Sequence, residues 1–265
     1  MDLRGPPVLH NARMDLPLND DAVARLERNT CDAVAPMAHT QLDGWLLAFD
    51  RSTIGRATSA VPLRHQRLAV GDLAPIMARY AAQELPAVFR LADLPALAPL
   101  HEALYQQGFT PSQPTLVQLA HSADVAALCA QPTACCTPAP TPAWASVYVA
   151  PCFDPVDGRH RQQALSRGQH TVYASVVQQG EALSAGTAVY SQGWASLHGL
   201  RTVQHARGRG LATDLMAALA REALQRGLPH MYLQVEEDNQ AALSLYRRAG
   251  FRTAWRYQYW RRKTA

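Results

Sequence analysis

The residues best suited to chemistry form the run Val203-Gln-His-Ala-Arg207-Gly208-Arg209-Gly210-Leu211-Ala212. The surrounding pattern predicts a strand before it and a long helix after it. Gly208 and Gly210 let the backbone turn tightly and leave N–H groups unhindered. The first turn of the helix adds unpaired N–H donors and the positive end of its dipole. Such a turn is an anion site suited to a pyrophosphate. Arg207 and Arg209 add guanidinium groups that can pair with phosphate through two hydrogen bonds. A glycine-rich connection that binds nothing is the competing reading. The run is not a P-loop, because no Gly-Lys-Ser/Thr follows. Nor is it a dinucleotide fingerprint, because Thr213 stands where the third glycine belongs.

The elements that must position this loop repeat along the chain. In the second half, strands are expected at 171–177 and 184–190, joined by a turn at Gln179-Gly180, and a longer one at 194–203. A helix follows at 211–226, with Leu211, Leu215 and Leu219 on one face. Then come a strand at 230–235, a helix at 239–248 stopped by Gly250, and a strand at 255–261. The first half is expected to open with a helix at 20–33, capped by Asn19 or Asp20. Strands follow at 45–49 and 54–62, then a helix from Gly71-Asp72 and a strand at 86–91. A helix at 97–107 ends at Gly108, and 115–119 is the last strand. Both halves end on a similar phrase, Leu104-Tyr105-Gln-Gln-Gly108-Phe109 and Leu245-Tyr246-Arg-Arg-Ala-Gly250-Phe251, about 141 residues apart. The shared order points to an internal duplication. Between the halves, 129–142 carries four prolines and reads as a linker or surface loop.

With these residues in view, the chain resembles the GNAT superfamily of acetyl-CoA-dependent N-acetyltransferases. The family's Q/R-x-x-G-x-G/A loop is matched by Arg207-x-x-Gly210-x-Ala212. Its second block is matched by Tyr232-Leu-Gln-Val235 and then Asn239-x-Ala241-Ala242-x-x-Leu245-Tyr246-x-x-x-Gly250-Phe251. The likeness covers 170–262 well, and reaches back to about residue 144 by strand order alone. In the first half, the place of the loop, around 62–71, holds no such motif. The resemblance therefore implies an α/β protein with a mixed sheet, in which two GNAT-like acyl-CoA N-acyltransferase folds lie in tandem. The expected division is a degenerate unit at 1–128, a linker at 129–143 and an acetyl-CoA-binding catalytic unit at 144–265.

The resemblance implies direct attack of an amine on the acetyl thioester, with acetyl-CoA as co-substrate. Backbone groups near Leu200, Thr202 and Val203 would hold the pantetheine and polarise the acetyl carbonyl. Amides from Gly208, Arg209, Gly210, Leu211 and Ala212, with the Arg207 and Arg209 side chains, would hold the pyrophosphate. Asn239, with Ala242 in the same helical turn, matches the family's contact to the cofactor arm, and Asn239 also suits a plain helix N-cap. Tyr246 takes the position of a tyrosine near the sulfur, where a phenol can protonate the leaving thiolate. A core residue of an amphipathic helix is the competing reading, and within this motif the acid role is preferred. Glu236, through a water, and His198 are the candidate bases. A small-molecule amine is the expected acceptor. A protein amine and a non-catalytic acyl-CoA-binding module are the alternatives. Trp45 and Arg56 are expected to wall the acceptor cleft from the first half.

Composition narrows the remaining classes. The 265 residues are 48% hydrophobic and 17% charged, which permits a large core. The net charge of +4 is small and spread out, which argues against nucleic acid as a partner. No run is apolar enough for a membrane span, and the first 18 residues lack the apolar stretch of a signal peptide. Five cysteines without a C-x-x-C pair, Cys135-Cys136 among them, read as incidental thiols of a cytoplasmic protein. His160, His170 and His205 show no ligand spacing with them, so no metal is expected. Trp255, Tyr257, Tyr259 and Trp260 interleave with Arg256, Arg261, Arg262 and Lys263. A terminal strand with a buried aromatic face is preferred there over a nucleic-acid surface. Tandem units allow a monomer without excluding a homodimer.

Overall fold

The computed structural model describes residues 18–151 and 153–262. The first 17 residues and the last three, Lys263 among them, lie outside these, as does Cys152. The chain opens with helix α1 (Asp20–Val34), whose first turn is capped by the Asn19 side chain accepting from the Ala22 amide at 2.9 Å. It continues through β1 (Ala38–Leu42), β2 (Trp45–Phe49), β3 (Ala60–Pro62), α2 (Leu73–Ala81), β4 (Phe89–Ala92), α3 (Ala98–Gln106) and β5 (Phe109–His121). A connecting region holds α4 (Ser122–Ala126), β6 (Cys135–Thr137), α5 (Pro142–Tyr148) and α6 (Pro155–Ser166). The remainder is β7 (Thr171–Gln178), β8 (Glu181–Ser191), β9 (Trp194–Thr202), α7 (Leu211–Gln225), β10 (His230–Glu236), α8 (Gln240–Arg248) and β11 (Arg252–Arg262).

The eleven strands among the described residues share one sheet, in the order β1-β2-β3-β4-β11-β5-β10-β9-β8-β7-β6. The β3–β4 and β9–β10 pairs are parallel, and each encloses a crossover helix, α2 or α7. The other pairs are antiparallel. The halves therefore repeat one plan around the central β5–β11 pair. There they trade strands: β11 lies between β4 and β5, while β5 lies between β11 and β10. Each half thus completes the sheet of the other.

Several expectations change. The strand expected at 54–62 is broken, because Gly55–Ala57 forms a turn of 3-10 helix and only Ala60–Pro62 pairs. Gly55 lies against the Tyr259 ring, where an added Cβ would meet a ring carbon at 2.7 Å. The proline-rich stretch is not bare loop, since Cys135–Thr137 pairs with β7 as a short edge strand. The last strand of the first half runs far beyond 115–119, because β10 and β11 both need it. The aromatic face at 255–260 is buried, in keeping with a terminal strand rather than a nucleic-acid surface. Among the described residues no helix is long and apolar enough to cross a membrane.

Helix α1 ties the halves together. It belongs to the first half by sequence but packs on β8 and β9. The Asn29 amide donates to the Ser191 carbonyl at 2.9 Å, and the Tyr232 hydroxyl donates to Asn29 Oδ1 at 2.7 Å. Two residues earlier Glu27 meets Arg90 of β4 through two parallel hydrogen bonds, both side chains only 2% exposed. The guanidinium also lies 5.1 Å from the centre of the Tyr257 ring of β11. A buried pair of this kind is costly to break, because the surviving charge is left without water or partner. Glu27→Ala is expected to lower stability by about 3–5 kcal/mol, read as an earlier urea midpoint. The double variant Glu27→Leu/Arg90→Met should recover most of that loss.

Candidate functional site

The cleft begins where β9 and β10 separate. They pair only at Met231↔Ala195, Tyr232↔Ser196 and Leu233↔Leu197. Beyond Leu197 the β8–β9 register shifts at a bulge, and Gly199 adopts φ +61° there. The bulge packs tightly: a Cβ on Gly199 would come within 2.8 Å of the Tyr148 hydroxyl, which itself donates to the Gly199 carbonyl. The bent end of β9 leaves β10 and opens a cavity of about 280 Å³. His198, Leu200, Glu236, Asn239 and Tyr246 all line it.

Thr202, Val203 and residues 207–212 are not among the residues that line this cavity. In the loop that follows β9, Gly208 and Gly210 take φ +77° and +79°, and Gly210 is the N-cap of α7. No side chain caps that helix, so its first amides remain available as donors. Arg207 and Arg209 are exposed and flank these amides. Arg207 Nε reaches the Thr202 carbonyl at 3.3 Å, and Arg209 bonds the side chain of Gln178. Val203 departs from expectation. Its N–H donates to the Leu183 carbonyl and its own carbonyl accepts from Ala206, so both backbone groups are committed to the fold. The antiparallel alternation then turns the backbone groups of Thr202 away from β8.

The titratable groups differ sharply in setting. His198 is 3% exposed, with Nε2 2.8 Å from Ser196 Oγ and Nδ1 without a partner among the described residues. Burial, aided by the nearby Arg56 charge, holds this imidazole well below its ordinary range. The Tyr246 hydroxyl is pushed up to about 12 by burial, so the phenol stays protonated at neutral pH. Its ring lies edge-on to Phe251 at 5.8 Å. Glu236 is exposed at the end of β10, with a long 3.5 Å contact from Gln113. Asn239 caps α8, its oxygen accepting from the Ala242 amide at 3.1 Å, while its Nδ2 makes no hydrogen bond among the described residues. The cap and a ligand contact are thus compatible in one side chain.

The first half reaches the cavity through Thr53–Arg56, β5 and, by strand exchange, β11. Arg56 lines it as expected. Trp45 does not, being fully buried in the first-half core with its Nε1 donating to Asp72. An aromatic in an all-apolar strand is inward-facing on either side of a covered sheet. Thr115, Tyr257 and Tyr259 also line the cavity and were not anticipated, since only the exchange of β5 and β11 brings them there. Among the described residues no group of three or more His, Cys, Asp or Glu could hold a metal ion. Because the His198 ring is deeply buried, its NMR titration should show a neutral imidazole throughout the range around 6.5 where an ordinary histidine protonates.

Comparison with known proteins gives these features a frame. The family model "Probable histone acetyltransferase Rv0428c C-terminal" matches residues 21–260. The L-methionine sulfoximine/L-methionine sulfone acetyltransferase of Pseudomonas paraeruginosa is 35% identical over 108 residues, 37% of this chain and 61% of that protein. Two other curated relatives, named as acetyltransferases, are matched over only 29% and 33% of their length. A GCN5-related N-acetyltransferase from Kribbella flavida superposes with a TM-score of 0.68 at 13% identity, covering 92% of this chain and 96% of that one. A tandem GNAT protein from the clavulanic acid pathway gives 0.57 at 14% identity, covering 91% and 94%. The fold is therefore that of the GNAT proteins, in an arrangement shared with a tandem member.

Proposed function

Because the chain belongs to the family described as the C-terminal part of the probable histone acetyltransferase Rv0428c, we propose that it is an N-acetyltransferase moving acetyl from acetyl-CoA to a primary amine. The observation that carries this reading is the opening between β9 and β10, together with the uncapped start of α7, the helix that follows β9 in the chain. The donor set fits the co-substrate: open amides and two arginines suit a pyrophosphate, and the splayed strand edges suit an amide-bearing arm. Only the second half carries the glycine loop, so it is assigned the acetyl-CoA site, and the first half supplies part of the acceptor wall.

When bound, acetyl-CoA supplies an electrophilic thioester carbonyl and a thiol leaving group. The amine forms the new C–N bond as the C–S bond breaks. Tyr246 holds its proton at neutral pH and delivers it to the departing sulfur. Glu236 is the better placed of the two bases, because its exposed carboxylate can pass the amine proton to solvent through a water. His198 resists protonation in its buried setting and serves better as a neutral acceptor, its Nδ1 turned to an N–H of the incoming amine. The backbone of Leu200 and Thr202 holds the arm, while Gly208, Arg209, Gly210, Leu211 and Ala212 hold the pyrophosphate with Arg207. Asn239 Nδ2 and the α8 turn containing Ala242 flank the arm.

A small-molecule acceptor is favoured by the likeness to an enzyme named for methionine derivatives. The family's name, that of a probable histone acetyltransferase, favours a protein amine instead. Thiol release from acetyl-CoA across a panel of small amines and histone peptides separates the two. Turnover on peptides alone would replace the small-molecule reading, and tight CoA binding without turnover on either would leave an acyl-CoA-binding module. Tyr246→Phe is expected to lower kcat by roughly a hundredfold while acetyl-CoA Kd stays nearly constant. Wild-type turnover in that variant removes Tyr246 from the chemistry. Gly210→Val places a branched side chain at φ +79° and should weaken acetyl-CoA binding in calorimetry by about tenfold or more.

A further inference from the structure

The charges around the cavity carry information about the acceptor. Three arginines line it, at 56, 161 and 201, together with one glutamate, Glu236. Two of the arginines are already engaged. Arg161 Nε and Arg201 both bond Asp157 Oδ2, at 2.7 and 2.6 Å. Burial alone would raise the Asp157 pKa, yet these partners hold it below its ordinary value, so the carboxylate is charged. Arg201 also donates to the Tyr148 carbonyl and lies 4.5 Å from the centre of the Phe153 ring. Arg201 is thus held on several sides, while Arg161 is tied to Asp157 through Nε alone.

Arg56 differs. It is half-buried at the cavity wall and makes no ion pair or hydrogen bond among the described residues. Its backbone is nevertheless well anchored. Thr53, three residues earlier, donates its hydroxyl to Asp157 at 2.9 Å and its amide to His160 at 3.2 Å. Gly55 is fixed beneath the Tyr259 ring. A guanidinium partly removed from water and left unpaired gains most from a planar, two-oxygen anion. The Glu236 side chain is also nearly unengaged, its 3.5 Å contact with Gln113 being the one hydrogen bond of its carboxylate among the described residues. The cavity therefore offers one cation without any partner among the described residues, Arg56, and one nearly unengaged carboxylate, Glu236, beside a cluster of two arginines on one aspartate that keeps a net positive charge. A ligand carrying both a carboxylate and an ammonium group complements this arrangement. A basic peptide or a polyamine would bring further cations toward Arg56 and be repelled.

This rests on the acyl-transfer reading and adds the class of acceptor. We propose that the acceptor is a small amine bearing its own carboxylate, an α-amino acid or a close analogue. Arg56 binds that carboxylate, and Glu236 faces the ammonium group.

The test is calorimetric binding of the common L-amino acids and of their carboxamides to the full chain with CoA present. For at least one side chain, the acid should bind roughly ten- to a hundredfold more tightly than its amide, as expected for a charge-assisted pair. In Arg56→Gln the acid-to-amide ratio should fall toward one, and Arg56→Lys should restore part of it. Equal binding of acids and amides, no binding of any amino acid, or an unchanged ratio in Arg56→Gln each overturns the proposal. The wild-type comparison alone decides the matter if a variant fails to fold. Acetylation assays on the same compounds keep the two readings apart. Amines acetylated without preference for the acid leave acyl transfer standing and remove the Arg56 assignment. Acid-selective binding without any acetylation does the reverse.

Discussion

The exchange of β5 and β11 is the constraint on which the rest of the structure depends. Neither strand completes the sheet of its own half. β5 satisfies the backbone of β10 along its whole length, from His230↔His121 to Glu236↔Thr115, and β11 pairs with β4 through Tyr257–Trp260. A strand edge left open in either half would expose a row of unpaired N–H and C=O groups, so both halves must fold together or not at all. The buried Glu27–Arg90 pair and the Asn29–Tyr232 contacts lie on this seam. They add directionality to an apolar core that alone would tolerate several registers.

The cleft is the second product of that seam. β10 is fixed on one side by β5, and β9 is fixed on its far side by β8. When the bulge at Gly199 bends β9, the strain cannot be relieved by β10 following it. The strands part, and polar backbone that a regular sheet would pair is left facing a cavity. Strand exchange also carries Thr115, Tyr257 and Tyr259 to the rim. One topological choice thus opens the cavity and brings part of the other half to its edge.

What the sequence discloses divides along the line between local and non-local physics. The glycine loop, the α7 face and the Asn239 cap are set by a few consecutive residues, through positive φ and orphan amides, and these stand where sequence reasoning puts them. Asn19 as the cap of α1 belongs to the same class. Trp45 is misread because an apolar strand does not say which of its side chains meets a cavity. The break at Gly55 follows from the approach of Tyr259, about two hundred residues away in sequence, which no window of neighbouring residues contains. The same applies to β5, whose length follows from two partners at the other end of the chain. The short β6 escapes notice because three residues beside several prolines carry almost no periodic signal.

Thr53–Arg56 and the β9–β10 opening are joined by one continuous chain. A two-chain assembly with the same exchanged strands would come apart on dilution, and its site would exist only in proportion to the associated fraction. Here the meeting of the two halves is unimolecular and independent of concentration. Copy number therefore sets how many sites there are, but not whether each is whole. The same linkage frees the two halves to diverge: a substitution at the Arg56 rim alters one wall of one site, whereas in a symmetric pair every such change would appear twice.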